Sequence, residues 1–196
     1  MKIGFGCDHA GVELKKTLME FLMEMGHECT DYGNYDPNDR TDDYPEFGRK
    51  VGEAIMRGEV EKGVLICGTG VGISLAANKI PGIRACVCSE PYSARMSVQH
   101  NNANIISIGA RVVGRELAKD IVSAFFNAEF EGVRHSRRLQ MITEAEYGDH
   151  RDLHSFPTKQ GKDPSSRARR RKRGSPGCVR DPRASSRVET GMSGTS

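Results

Sequence analysis

The chain has no apolar run approaching the roughly 20 residues that a membrane span needs. Its opening stretch, MKIGFGCDHAG, enters a strand at once and is too short and too interrupted for a signal peptide. It has no C-x-x-C pair: the six cysteines, at 7, 29, 67, 86, 88 and 178, lie scattered, mostly inside apolar runs, without a disulfide framework. These absences argue against a membrane protein or a disulfide-stapled secreted one and for a reduced, cytoplasmic chain. H-E-x-x-H is missing, and the carboxylates from Asp36 to Glu46 do not follow a calcium-loop register. No cluster of His, Asp and Glu has metal-ligand spacing, so neither a metal nor a cofactor is expected. The glycine-rich stretch is neither G-x-G-x-x-G nor a P-loop, which argues against a nucleotide site. There is also no internal repeat.

What is present divides in two. Hydrophobic residues make up 37% of the chain and mean hydropathy is −0.54, low for a compact α/β enzyme. The deficit is local: residues 1–150 carry 17 Lys+Arg against 22 Asp+Glu, a net −5, and residues 151–196 carry 12 against 4, a net +8. A domain at 1–150 and an Arg/Ser/Gly/Pro-rich tail at 151–196 are expected. The tail has few aliphatic residues and no periodicity, so it cannot bury enough apolar surface to offset its ordering entropy and is expected to be disordered.

Within 1–150, strand and helix patterns alternate. Strands are expected at Lys2–Gly6, His27–Tyr32, Val64–Cys67, Ile83–Cys88 and Asn104–Ile108. The segment after the first strand places Leu14, Leu18, Phe21, Leu22 and Met25 on one helical face, with Gly26 as a stop. Further helices are expected at Glu46–Arg57, after the glycines of G-T-G-V-G, at Glu90–Gln99, at Gly114–Phe126 with Leu117, Ile121, Ala124 and Phe125 inward, and at Arg134–Tyr147 around Leu139 and Ile142. Gly33–Pro45, rich in Asp, Asn, Gly and Pro, reads as a long loop of the kind that carries function. Alternation implies a five-stranded parallel sheet with helices on both faces, a three-layer Rossmann-like α/β fold. Ligands in such sheets bind beyond the carboxyl ends of the strands, where neighbouring connections diverge. If the first and third strands are neighbours, Asp8-His9 and Cys67-Gly68 flank one crevice.

The centre of this pattern is Gly63–Asn78, GVLICGTGVGISLAAN. A buried strand runs into Gly68, Gly70 and Gly72 and then a helix start, aiming backbone N–H groups at one point. The glycines serve either a tight turn or an anion or oxyanion cradle. Cys67 is either a small buried residue at a strand end or, beside those amides, a thiolate acting as nucleophile or base. His9 and His100 both fall at element ends. Arg134 and Arg138, i and i+4, form either a solvated face or a phosphate clamp, which Arg111 of the G-A-R-V-V-G turn could join.

Together, G-C-D-H-A-G, R-T-D-D-Y-P, I-C-G-T-G-V-G-I-S-L-A-A-N-K, C-S-E-P-Y-S-A, Q-H-N-N-A-N and G-A-R-V-V-G resemble the type B ribose-5-phosphate isomerases, relatives of the galactose- and allose-6-phosphate isomerases. The match runs over about residues 1–147. The resemblance implies a metal-free aldose–ketose isomerase of the pentose phosphate pathway, interconverting ribose 5-phosphate and ribulose 5-phosphate through a cis-enediolate. It implies that Cys67 is the base, that the amides of Gly68, Thr69, Gly70, Val71 and Gly72 hold the enediolate, and that His100 opens the ring with Thr69 and Asp8 assisting. His9, Arg134 and Arg138 would then hold the phosphate, with Asn101 and Arg111 completing the site. Some members take the proton with a carboxylate further along the loop; here residues 71–75 read V-G-I-S-L, which leaves Cys67 and favours a pentose phosphate. The resemblance also implies a homodimer or dimer of dimers with sites shared across the interface. The alternatives are a hexose 6-phosphate isomerase, or a nucleic-acid-associated protein using the arm Arg169–Arg173. The basic tail is not part of the family pattern; it reads as a solvated extension, a nucleic-acid arm or a non-native sequence. It has no aromatic residue after Phe156 to stack on bases, which makes nucleic acid the weaker partner.

Overall fold

The computed structural model describes residues 1–148. The expected tail at 151–196 lies outside the described residues. Five strands form one sheet: β1 (Lys2–Cys7), β2 (Glu28–Asp31), β3 (Lys62–Cys67), β4 (Ala85–Val87) and β5 (Ile105–Gly109). Their order is β2-β1-β3-β5-β4, and every pairing is parallel. The helices among the described residues are α1 (Val12–Glu24), α2 (Tyr44–Met56), α3 (Val71–Ala77), α4 (Pro91–Asn101), α5 (Arg115–Phe126) and α6 (Arg134–Tyr147), with a 3-10 turn at His9–Gly11.

Strand alternation sends side chains to two separate cores. Ile3, Phe5, Cys7, Val64, Ile66, Ile106 and Ile108 meet Leu14, Leu18 and Leu22 of α1, Val98 of α4 and Ile121 and Phe125 of α5. Leu65, Cys67 and Ile105 meet Phe47 and Val51 of α2 and Ile73 and Ala77 of α3 on the other face. The helices therefore cover both faces, as the run of near-continuously apolar strands requires. Gly6 lets α2 lie close against β1: a Cβ there would sit 2.9 Å from Phe47 O and from the Val51 side chain.

The edges differ from the sequence reading where local signals compete. Helix α2 begins at Tyr44, two residues earlier than expected, because Pro45 fits the first helical turn instead of ending the loop. Strand β4 keeps three residues of the six expected: Ile83 closes a turn onto Ile80 O before it, and Cys88 makes one last bond, from its N–H to Ser107 O of β5, as the strand ends. Helix α4 runs on to Asn101 and stops at Asn102, which is left-handed at φ 46°, so His100 lies in the last helical turn and not after it. Leu117 is 40% exposed, and Ala118 takes the inward position on α5. Helix α6 has no core of its own: Ile142 is 53% exposed, Leu139 is half-buried, and His135 is its buried residue.

Candidate active site

Connections diverge between β1 and β3. The chain leaves β1 for α1 on one face and β3 for α3 on the other, which opens a crevice beyond the carboxyl ends of these neighbouring strands. Their register pairs Cys7 with Ile66, and Asp8 N–H donates to Ile66 O at 3.2 Å. Asp8-His9 and Cys67-Gly68 therefore do flank one crevice.

The loop after β3 is shaped around the Cys67 sulfur. Gly70 is left-handed at φ 79°, and this turn brings its N–H back to Cys67 Sγ at 3.1 Å. Gly70 O accepts from Ser107 Oγ at 2.6 Å, and Gly68 O accepts from Arg111 N–H at 3.1 Å, so β5 braces the loop from behind. The Val71 N–H donates to Thr69 Oγ1 at 3.3 Å. Two of the five expected oxyanion amides thus already have partners, one of them the Cys67 sulfur. Helix α3 has seven residues, so this cradle owes more to local amides than to a helix dipole. The Arg111 guanidinium lies over Gly68, 3.4 Å from where a Cβ would stand. Thr69 and Val71 are exposed at the loop tip.

On the β1 side Asp8 is 7% exposed, and its Oδ1 accepts from Ala10 N–H at 3.0 Å. Burial raises its carboxyl above the ordinary value, against the lowering effect of that backbone bond. His9 Nδ1 lies 2.6 Å from Asp42 Oδ1. Tyr44 closes the crevice from α2: a Cβ on Gly72 would come within 2.6 Å of its ring. Sequence reasoning missed Asp42 and Tyr44 as site residues. Both lie in or beside R-T-D-D-Y-P, the one available signal. Cys7, on the opposite face of the sheet, has its thiol pushed up to about 12 by burial and is no candidate base.

The remaining predicted residues form a second group. Helix α4 leaves the carboxyl end of β4 and runs back, so His100 and Asn101 lie beside the amino ends of β4 and β5, where Asn104 O accepts from Gly63 N–H at the start of β3. Cys67 pairs with Gly109 at the far end of β5. Five residues of strand place the two ends about 15 Å apart. Helix α6 joins the His100 group: the rings of His100 and His135 stack at 4.4 Å and 7°, and Arg134 Nε donates to His135 Nε2 at 3.1 Å. Arg138 is exposed one turn further on. One chain therefore unites Asp8, His9, Gly68–Gly72 and Arg111 with Cys67, and His100, Asn101 and Arg134 with one another, but not the two groups.

The fold also brings together His100, Glu131 and His135, whose ligand atoms lie within 4.8 Å of one another. Their separation in sequence hid this trio from a spacing search. It is poorly shaped for a metal: an ion cannot lie in the planes of two rings stacked in parallel, and Nε2 of His135 already accepts from Arg134.

Fold and crevice define a doubly wound α/β protein with a glycine-rich loop at its switch point. A ribose/galactose isomerase family model matches residues 3–142. The chain belongs to that family and is an aldose–ketose isomerase. Ribose-5-phosphate isomerase B of Escherichia coli is 54% identical over 145 residues, 74% of this chain and 96% of the relative. D-erythrulose-4-phosphate isomerase of Pectobacterium atrosepticum is 40% identical over 79% of this chain and 99% of its own length. The solved ribose-5-phosphate isomerase B of Clostridium thermocellum is 53% identical with a TM-score of 0.72, covering 74% of this chain and 97% of that one. No helix among the described residues is long and apolar enough to cross a membrane.

Proposed function

We propose that this isomerase interconverts D-ribose 5-phosphate and D-ribulose 5-phosphate without a metal, in the non-oxidative pentose phosphate pathway of the cytoplasm. The observation that carries the proposal is the Cys67 sulfur, bonded by the Gly70 amide at the mouth of the β1/β3 crevice. In the open-chain aldose, the Cys67 thiolate takes the proton from C2. The C–H electron pair becomes a C1–C2 double bond, and the C1 carbonyl pair moves onto oxygen, giving a cis-enediolate. Loop amides not already bonded within the loop, with Arg111 above Gly68, stabilise that oxygen. The proton returns from Cys67 to C1, and the 2-hydroxyl proton passes to O1, leaving the ketose. His9 meets the phosphate, whose binding energy orients the reacting carbons.

His100 as ring-opening acid, with Asn101 and the arginines 134 and 138 on the phosphate, serves this site from a second copy of the chain. The distance along β5 supports a homodimer with shared sites. A hexose 6-phosphate is disfavoured because residues 71–75 carry no alternative base, and the 54% identity to a ribose-5-phosphate isomerase B supports the pentose. The tail beyond residue 150 lies outside both the described residues and the family match, and it is assigned no part in turnover. Truncation after His150 should leave kcat unchanged.

Turnover of ribose 5-phosphate, galactose 6-phosphate and erythrulose 4-phosphate by wild type and Cys67→Ala tests the reading. The pentose phosphate should be preferred, chelator should have no effect, and Cys67→Ala should lose about 100- to 10,000-fold in kcat. Undiminished turnover in Cys67→Ala removes the base, and loss on chelation removes the metal-free mechanism.

A further inference from the structure

His9 is fixed by a residue outside the scheme above. Asp42 lies near the end of the loop between β2 and α2, with its side chain 3% exposed. Its Oδ1 lies 2.6 Å from His9 Nδ1, and its Oδ2 accepts the His9 backbone N–H at 2.6 Å and Asn34 Nδ2 at 2.9 Å. The Asn34 backbone is itself held on both sides of its Cα. Its N–H donates to Cys7 O at 2.9 Å, and its carbonyl accepts from Lys15 Nζ at 2.7 Å. Lys15, on α1, is 1% exposed and also lies 2.7 Å from Asp31 Oδ2 at the end of β2. An ammonium this buried is costly unless well paired. Here its oxygen partners come from two residues, Asp31 and Asn34, both at the root of the loop.

We propose that Asp42, braced through Asn34 by the buried Lys15, is the positioning residue that turns His9 toward the substrate's phosphate. The inference rests on the reading of His9 as a phosphate ligand. A carboxylate against Nδ1 places the ring proton there and leaves Nε2 as the nitrogen to face the crevice. The second bond, to the His9 backbone, fixes where the ring starts, so Asp42 sets both position and rotation. Burial disfavours the Asp42 carboxylate, but the bonds from the His9 ring, Asn34 and the His9 backbone outweigh it and hold the carboxyl below its ordinary value. The brace therefore keeps its charge at neutral pH. Asn34 cannot rotate away, because the Lys15 and Cys7 bonds pin its backbone while its amide also donates to Asp39 Oδ2 at 3.0 Å.

The test titrates full-length protein with inorganic phosphate by calorimetry and measures KM and kcat for ribose 5-phosphate. Asp42→Ala should weaken phosphate binding about tenfold and raise KM similarly, with kcat within about twofold, an effect typical of lost support behind a ligand. Asp42→Asn, with one acceptor where the carboxylate has two, should restore part of the loss. Nitrogen-15 spectra should show the His9 ring losing its fixed Nδ1–H tautomer in Asp42→Ala. Asn34→Ala leaves His9 and Asp42 intact and should shift phosphate affinity in the same direction by about threefold; it carries the test if Asp42→Ala does not fold. Folded Asp42→Ala or Asn34→Ala with wild-type phosphate affinity overturns the proposal. His9→Ala with wild-type affinity overturns the phosphate role of His9 instead. Failure of wild type to turn over ribose 5-phosphate, with the phosphate pattern as expected, sinks the substrate assignment and leaves the positioning role standing.

Discussion

Gly70 decides whether the Cys67 sulfur is dressed for chemistry. Its φ of 79° belongs to the left-handed region, and a Cβ there would stand 2.9 Å from the carbonyl carbon of Ile108, a backbone atom in the middle of the sheet that cannot give way. Gly70→Ala should therefore add about 1–2 kcal/mol of backbone strain to the clash. Either response, moving the loop or flattening φ, takes the N–H away from the sulfur. We expect the melting temperature to fall by at least about 3–6 °C and kcat to fall with it. Full activity in a stable Gly70→Ala protein would show that the sulfur does not need this amide. Cys67 and the glycines were legible in sequence because an apolar run ending in alternating glycines has few other meanings. Asp8 and His9 were legible because they close the first strand. Asp42 was not legible: among the five carboxylates from Asp36 to Glu46, nothing in composition or spacing separates the one that folds back 33 positions onto His9 from those that cap turns. Asp39, for example, accepts from Thr41 two residues away.

Helix α6 shows the limit of periodicity at the scale of an element. Leu139 and Ile142 have helical spacing and suggest an inward face, yet that face meets little of its own chain, and its N-terminal turn is held through His135 instead. His135 is 5% exposed, and its ring faces His100, Arg134, Arg138 and Glu131. Desolvation, followed by the positive neighbours His100, Arg134 and Arg138, lowers its pKa from the ordinary 6.5, with Glu131 opposing. A histidine with a depressed folded-state pKa binds its proton more readily when unfolded. Its contribution is complete above pH 6.5 and is lost as pH falls toward and through the lowered value. Thermal melts of wild type and His135→Asn from pH 8 to pH 5 check this: wild type should lose stability below about pH 6.5, and the variant should lose less. Equal slopes would remove His135 as the source. The other helices were legible because α1 and α5 pack against their own sheet, where sequence pattern and burial coincide.

At the scale of the whole molecule, the parallel sheet and its switch point followed from the strand and helix alternation, but the completeness of the site did not. Periodicity reports which face of an element is buried in its own chain, and it is silent about residues that act on another copy. The fold places Cys67 at one end of β5 and His100 at the other, and no reorientation of a side chain spans the strand between them. If two copies complete each other's sites, Cys67→Ala and His100→Ala break different halves. In a mixed dimer, one site inherits both lesions and the other inherits neither. Co-refolding the two variants in equal amounts gives mixed dimers as about half of the population, so about a quarter of the sites should be intact. The mixture should then turn over ribose 5-phosphate at about a quarter of the wild-type rate, well above either variant alone. A mixture no more active than the average of its two components would overturn the sharing of sites between copies, since a site built within one chain carries a lesion in every copy.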